Sequence, residues 1–303
     1  MSRYARQTVL PEIGAQGQAR LAAARVMVVG AGGLGSAVLP LLAGAGIGAL
    51  RLIDPDIVAE SNLHRQTLFE MGDLGRPKVE AAAAALSRRN PDCAVTTRIA
   101  RLDPLIARAE ISGLDLVIDA ADTFVTSYTL SDICQARGVP LISAAVLARQ
   151  GHVGGFCGGA PSLRAVFPDL PAQAASCESA GVMGPVVATL GALQAQMALA
   201  VLLNLTPSPL GQLLQIDLAS WRLSGFRFDG AAEPEEPGPL ILSPGEITPE
   251  DITVDLRRGE AAPDDPAGRR VVFLCRSGLR AWHAARQLQR AGHARVAIVG
   301  EGA

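Results

Sequence analysis

Apolar runs of strand length alternate with glycine-rich and polar stretches through the first half of the chain. Arg25–Val29 (RVMVV) is a short apolar run, Gly30–Gly35 a turn, Ser36–Ala45 a helix of small and aliphatic residues, and Ala49–Ile53 a second strand ending at Asp54. A hydrophobic period that switches from about two to about 3.6 and back predicts a βαβ unit. Asp92–Leu102 gives a third, more polar strand, Leu114–Asp122 a fourth, Thr126–Val139 a helix and Pro140–Val146 a fifth strand. The fourth is continuously apolar, as expected of a parallel strand covered on both faces. The pattern weakens over 151–173, where turn-formers predict loop with strand fragments. A long apolar helix comes next at 184–203, then strand-like segments at 213–220 and 221–228.

At 229–240 (DGAAEPEEPGPL) the composition turns to acid, proline and glycine, which is linker chemistry. Beyond it the pattern resumes: strands at 252–257 (ITVDLR) and 269–275 (RRVVFLC), a helix at 279–292 and a strand at 294–300. The expected division is a domain over 1–228, a linker over 229–240 and a small α/β segment over 241–303. A unit that small has a marginal core of its own.

Composition narrows the class. With 49% hydrophobic residues, 18% charged and a net charge of −2, the chain can bury a core and shows no charge for wrapping nucleic acid. The five cysteines (Cys93, Cys134, Cys157, Cys177, Cys275) are scattered and form no C-x-x-C pair, which argues against a disulfide scaffold and a four-cysteine zinc site. The start, MSRYARQTVLPEIG, lacks the apolar core of a signal peptide, so a reducing cytoplasm is the expected compartment. Residues 26–50 carry no charge except Arg51 just beyond them, and 179–221 none but Asp217, which raises the question of membrane spans. Glycines and Pro40 break the first run, and Gln194, Gln196 and Asn204 interrupt the second, so a turn-and-helix and a buried or interface helix are expected instead.

Gly30-Ala31-Gly32-Gly33-Leu34-Gly35 is a G-x-G-x-x-G turn between a strand and a helix, the arrangement in which backbone N–H groups and a helix N-terminus face a phosphate. Asp54 stands 24 residues after Gly30 at the end of the next strand, placed to accept ribose hydroxyls. The motif leaves a nicotinamide or flavin oxidoreductase open. The residues after Asp54 favour a triphosphate: Asp56, Ser61, Asn62, His64, Arg65 and Gln66 crowd one polar stretch, and Lys78 comes soon after. Lys78 is the single lysine of a chain with 27 Lys and Arg residues in total. An ammonium is a compact point charge on a flexible stem, whereas a guanidinium is a broad planar fork, so a site that kept lysine points to one phosphate oxygen in a tight pocket. Asp119 and Asp122 end the fourth strand, and a carboxylate there can hold Mg²⁺ against phosphates. Plainer readings exist for each residue singly: Ser61 and Asn62 as a helix cap, Asp119 as a strand-end turn residue.

RYARQ, GAGGLGS, LIDPDIVAESNLHRQTLF, GRPKVEAA, VIDAAD and SCESAGVMGPVV, in that order from residue 3 to 187, resemble the sulfur-carrier adenylyltransferases of the ubiquitin-activating superfamily, the MoeB/ThiF/HesA group. The resemblance implies a Rossmann-like, doubly wound, mostly parallel α/β sheet. It implies ATP contacts from Gly30, Gly32, Gly33 and Gly35, ribose binding by Asp54 with Asp56 beside it, and phosphate contacts from Ser61, Asn62, Leu63, His64, Arg65 and Lys78. Asp122 would hold Mg²⁺, with Thr123 next to it, and Arg6 would reach the triphosphate of the neighbouring subunit in a homodimer. The implied reaction is attack by the C-terminal glycine carboxylate of a ubiquitin-like carrier ending in Gly-Gly on the α-phosphate of ATP. No nucleic-acid or membrane partner is implied.

Two cysteines carry candidate sulfur chemistry. Cys177 falls in a stretch that, in the resembling enzymes, is a crossover loop near the acyl-adenylate; Glu178 beside it gives its thiolate no help. Cys275, followed by Arg276 and Arg280, resembles the C-x-x-G-x-R loop of rhodanese sulfurtransferases and would take sulfur from a persulfide donor. The span around it is short, so 241–303 is expected to be a shortened rhodanese-like module. The chain departs from the group in three places. Pro161–Ala165 stands where relatives begin their zinc-binding cysteines, so zinc is not expected; Thr123 stands for the usual Asn, and Ser127 near a usual Arg. These departures leave open a carrier-binding protein without catalysis.

Overall fold

The computed structural model describes residues 3–171, 180–236, 238–262 and 266–300. Its larger sheet has eight strands in the order β3-β2-β1-β4-β5-β6-β7-β8. Strands β1 (Arg25–Val29), β2 (Ala49–Ile53), β3 (Ala94–Arg98), β4 (Leu116–Asp119) and β5 (Leu141–Leu147) run parallel, and β6 (Gln150–Phe156), β7 (Gln212–Asp217) and β8 (Arg222–Arg227) continue as an antiparallel meander. The Rossmann-like class read from the sequence stands. The chain winds outward from β1 through β2 to β3, then returns to β4 on the other side of β1, which opens a crevice at the carboxyl ends of β1 and β4.

Alternation along the strands divides the core. Val26 and Val28 of β1 and Leu116 and Ile118 of β4 face one cluster, while Met27, Val29 and Val117 face another. The first face is covered by α1 (Gly14–Ala23), α2 (Gly33–Ala45), α3 (Lys78–Arg89) and a late helix, Gly184–Leu202. The second is covered by α4 (Pro104–Glu110), α5 (Phe124–Arg137) and the C-terminal segment. With the single turn Leu163–Val166 as α6, the late helix is α7 and the C-terminal helix, Leu279–Arg290, is α8.

α7 is the one helix among the described residues long and apolar enough to span a bilayer. It lies instead against α2 and the sheet, with Val186, Val187, Leu190, Gln194 and Ala198 buried. Gln194 Nε2 donates to the Asp119 carbonyl at 2.7 Å, a bond that suits a helix packed on a strand end. Four helices lie outside the sequence expectation: α1, α3, α4 and the single turn α6. α4 carries its own signature, since the Asp103 side chain accepts from Ile106 N–H and Pro104 takes the first helical position. α2 also begins at Gly33, inside the expected turn.

The C-terminal segment has a parallel four-stranded sheet, β10 (Ile252–Asp255), β11 (Val271–Cys275), β12 (Val296–Gly300) and β9 (Leu240–Ile241), in that spatial order. It shares one hydrophobic cluster with the main body: Phe273, Trp282 and Ile298 meet Val29, Val117 and Tyr128. The Pro/Gly/acid stretch before it runs along the body. Glu233 accepts from Ser162 N–H (2.7 Å) and Ser162 Oγ–H (2.5 Å), and Gly238 lies against Trp282 and Arg164. The same group occupies the place where relatives would begin a zinc site: the Arg164 guanidinium forms two bonds to the Asp132 carboxylate and stacks over Tyr128 and Trp282.

Candidate functional site

The crevice is built by three strand ends. At β1, Gly30 takes φ +98°, and a Cβ there would lie 2.5 Å from the Ala120 carbonyl oxygen, so the turn touches the end of β4. Only glycine serves at such a position. Gly32 and Gly33 then bring the chain into α2, whose first N–H groups face the crevice.

At β2, Asp54 is buried. Its Oδ2 accepts from Ala31 N–H at 2.7 Å and its Oδ1 from Asp56 N–H at 2.8 Å. The carboxylate therefore ties the glycine turn to the β2 loop, and each oxygen keeps a second lone pair. Burial raises its pKa, opposed mainly by the nearby charge of Lys78. Lys78 opens α3, and its N–H donates to the Asp56 carbonyl. Its ammonium meets Asp56 Oδ2 at 2.8 Å; the lysine side chain is 6% exposed and that of Asp56 57%. Asp56 thus holds the lysine in place. The ammonium retains two further protons for a ligand.

The SNLHRQ stretch folds as a short 3₁₀ turn, Glu60–Asn62, followed by tight backbone bonds. The Ser61 carbonyl accepts from Arg65 Nη1 at 3.2 Å, and the His64 ring lies 3.1 Å from the same oxygen. Arg65 has no carboxylate partner among the described residues. Its aliphatic stem lies beside Gly33. Neither Ser61 nor Asn62 caps a helix through its side chain. Leu63, partly buried, packs on the core and anchors the stretch.

At β4, Asp119 is fully buried and Asp122 exposed. Asp119 accepts from Ser143 Oγ–H at 2.7 Å and from Ala121 N–H at 3.2 Å. Burial raises its pKa, opposed by hydrogen bonds from Ser127 and Ser143. Asp122 has no ion pair among the described residues. Thr123 caps α5: its Oγ1 accepts from Thr126 N–H and donates to Thr126 Oγ1 at 2.8 Å. The Thr123 side chain thus serves as a helix cap beside Asp122, and Ser127 Oγ–H returns to the Thr123 carbonyl.

Not every expected residue joins the site. Arg6 lies near the C-terminal end of α2, where Gln7 Nε2 donates to the Ala45 carbonyl. The thirteen-residue α2 is about 20 Å long, so Arg6 is far from the glycine turn of its own chain. Cys177 lies outside the described residues. Cys275 ends β11 but is 1% exposed, with its Sγ accepting from Ala281 N–H at 3.3 Å. Among the described residues no group of three or more His, Cys, Asp or Glu could hold a metal.

Two parts of the site have no counterpart in the sequence reading, and Gln66, expected only as one of the polar stretch after Asp54, takes a buried place in it. Gln66 is buried beside Gly32 with Oε1 unpartnered. Ser143 and Gln194 brace Asp119 from β5 and α7. The N-terminus of α7 also abuts the site, because Gly184 packs on the His64 carbonyl and Val187 on Gly33. A glutamine inside an uncharged apolar helix is the visible signal for Gln194.

Residues 4–237 match the ThiF family. The chain belongs to that family. It is 38% identical over 219 residues to the SAMP-activating enzyme E1 of Haloferax volcanii, covering 72% of this chain and 81% of that protein. It is 44% identical over 218 residues to the adenylyltransferase and sulfurtransferase MOCS3 of Bos taurus, covering 71% of this chain and 48% of that one. It is 42% identical over 203 residues to the adenylyltransferase and sulfurtransferase UBA4 of Yarrowia lipolytica, so the chain spans about half the length of these two relatives. In fold it is similar to E. coli MccB solved with ATP, at a TM-score of 0.67 and 22% identity over 78% of this chain and 75% of that one. The resemblance drawn from SNLHRQ and its neighbouring motifs holds, and the family and named relatives support a nucleotidyltransferase. The rhodanese resemblance of 241–303 lies beyond the ThiF match.

Proposed function

We propose that this ThiF-family protein adenylylates the C-terminal glycine of a ubiquitin-like sulfur carrier, of the molybdopterin-synthase or thiazole-biosynthesis kind. The observation that carries this is the buried Lys78 ammonium, held by Asp56 and close to Asp54, the acid that ties down a glycine turn bordered by Arg65. A dinucleotide enzyme needs a ribose acid and a glycine turn but not these two cations.

In the proposed reaction a carboxylate oxygen of the carrier's last glycine attacks the α-phosphorus. The bond from that phosphorus to the β-bridging oxygen breaks, pyrophosphate leaves, and a carrier acyl-adenylate forms. Asp54 accepts ribose hydroxyls with the lone pairs left free by Ala31 and Asp56. Lys78 and Arg65 neutralise charge that accumulates on phosphoryl oxygens, and the N-terminus of α2 adds its dipole. Catalysis is then positioning and charge stabilisation. The exposed carboxylate of Asp122, free of any ion pair among the described residues, fits a hard cation that takes one protein oxygen and fills its sphere with water and phosphate. Mg²⁺ held by Asp122 would supply positive charge that screens the phosphates. Arg6 would act on the site of a second copy in a homodimer, since its own site is out of reach. A separate persulfide donor fits the burial of Cys275 better than transfer by that thiol, and the reaction suits the cytoplasm.

The test is isotope exchange between ATP and labelled pyrophosphate with purified protein, Mg²⁺ and carriers ending in Gly-Gly. Exchange with at least one carrier is expected. Carrier binding without exchange would favour the non-catalytic reading that Thr123 and Ser127 leave open. Tight NAD binding with no ATP binding would replace both.

A further inference from the structure

Cys275 and the turn after it resemble a sulfur-transfer loop in sequence, yet the fold gives them another setting. Gly278 stands at φ +85° and begins α8. A Cβ on Gly278 would lie 1.9 Å from Val125 Cγ2, and one on Gly300, at the end of β12, 2.9 Å from the same atom. Val125 is buried in the first turn of α5, three residues after Asp122. The ends of β11 and β12 thus close on the helix whose N-terminal turn carries Asp122.

A second contact lies on the same face of α5. Val125, Tyr128 and Asp132 are spaced three and four apart, so they line one stripe. Trp282 packs on Tyr128 with ring centroids 5.3 Å apart, and Arg164, bound to Asp132, lies over both rings. Trp282 Nε1–H donates to Asp169 at 3.1 Å. The segment is anchored on α4 as well, where Leu105 N–H donates to Ser243 Oγ at 2.8 Å and Arg108 pairs with Glu246.

We propose that the Arg276–Gly278 turn and α8 hold the Asp122-bearing β4–α5 turn in place through Val125, so that the C-terminal segment is a positioning element of the nucleotide site. This rests on the reading of Asp122 as the metal-holding acid. Cys275 is a packing residue of that element. Because coupling between two sites is reciprocal, metal-loaded nucleotide must also steady the segment.

Calorimetric titration with ATP, in Mg²⁺ and in EDTA, tests this without carrier or turnover. Gly278→Ala is expected to weaken ATP binding in Mg²⁺ about tenfold and in EDTA less than about twofold. Gly278→Ala combined with Val125→Ala relieves the collision but removes the contact itself and keeps alanine at positive φ, so it is expected to recover little of that loss. Unchanged binding in the single variant, or equal losses with and without metal, would overturn the proposal. Should Gly278→Ala fail to fold, amide exchange on the unaltered protein decides: residues 276–282 should exchange at least about threefold more slowly with ATP and Mg²⁺ than with ATP and EDTA. Equal rates would overturn it. If the unaltered protein shows no metal-dependent ATP binding at all, the functional reading falls and this inference with it. If it binds and only the coupling is missing, the inference alone falls.

Discussion

The crevice of the main sheet carries acids at the carboxyl ends of parallel strands, the C-terminal sheet carries them at both ends of β10, and the two treat those acids in opposite ways. In the crevice, burial pushes Asp54 and Asp119 above the usual carboxylate range, and their partners are backbone N–H groups and serine hydroxyls, with the Lys78 ammonium near Asp54 but bonded to Asp56. In the C-terminal sheet, the Arg270 guanidinium holds Asp251 down at about 2, and Arg257 does the same for Asp255. An acid gripped by a guanidinium fork has little acceptor capacity left; an acid held by single N–H donors keeps some for a ligand. Arginine supplies the cation in the other ion pairs of the described residues, and the single lysine supplies the one beside Asp54. The contrast separates polar groups that serve the fold from those left for chemistry.

The sharpest way to break that contrast is at Lys78. Lys78→Ala should lower ATP–pyrophosphate exchange by about 10²–10³-fold, the scale of losing one preorganised charge donor at a reacting centre. Its effect on the unfolding midpoint should be small, because the exposed Asp56 it abandons is readily hydrated. Lys78→Arg should lose at least about tenfold despite keeping the charge. An arginine variant as fast as the unaltered protein would make the lone lysine an accident of composition.

The opposite result is expected of Trp282. It is 1% exposed and covers Tyr128 and Arg164 where the two regions meet. Trp282→Ala should cost about 3–5 kcal/mol in a urea titration, as large truncations in a packed core do. A loss under about 1 kcal/mol would mean that the segment hangs on the body rather than packing into it.

Legibility in the sequence divides along the same line. The βαβ start, the parallel strands and the SNLHRQ–Lys78 constellation are legible because each is written in local sequence: an apolar run, a glycine spacing, a cluster of polar types. α3 is hidden by its own first residue, since Lys78 draws the eye away from the alanine-rich run Ala81–Ala85 that makes the helix. Motif position alone does not record that Leu63 packs on the core or that Thr123 caps α5, because the setting of a side chain depends on tertiary packing. The docking of the C-terminal segment is illegible. It depends on Gly278 meeting Val125 and Trp282 meeting Tyr128 across a long separation in sequence, and no local pattern records a long-range contact.

Asp119 tests whether the buried acid acts by charge or by geometry. Asp119→Asn can keep the bonds to Ala121 and Ser143: its amide oxygen accepts from Ala121 N–H, and its NH₂ donates to a Ser143 hydroxyl that turns to accept, while Ser127 Oγ–H retains the Thr123 carbonyl as acceptor. Exchange should stay within about threefold and stability within about 1 kcal/mol. Asp119→Ala leaves Ala121 N–H and Ser143 unsatisfied, costing about 1–3 kcal/mol, and should slow exchange about tenfold by loosening the Asp122 turn. Equal losses in the two variants would assign the effect to charge.

Acid should separate the regions with the smallest perturbation of all. Asp251 and Asp255 lie at about 2 in the folded protein against an ordinary 3.8, so their stabilisation is complete above about 4 and drains away as pH falls toward 2. Asp54 and Asp119 have the opposite sign: their folded values are raised, so protonation favours the folded state, and the stability they contribute is greatest in acid and lost as pH rises through those values. Acidification below about pH 4 should therefore loosen the C-terminal sheet while leaving the crevice acids at no disadvantage. With Trp221→Phe, Trp282 is the sole tryptophan, and its emission should shift to the red at a higher pH than the loss of far-ultraviolet dichroism from the main sheet. If the two transitions coincide, the shared cluster of Phe273, Trp282, Val29 and Val117 binds the regions into one cooperative unit, and the contrast between their acids lies in local titration alone.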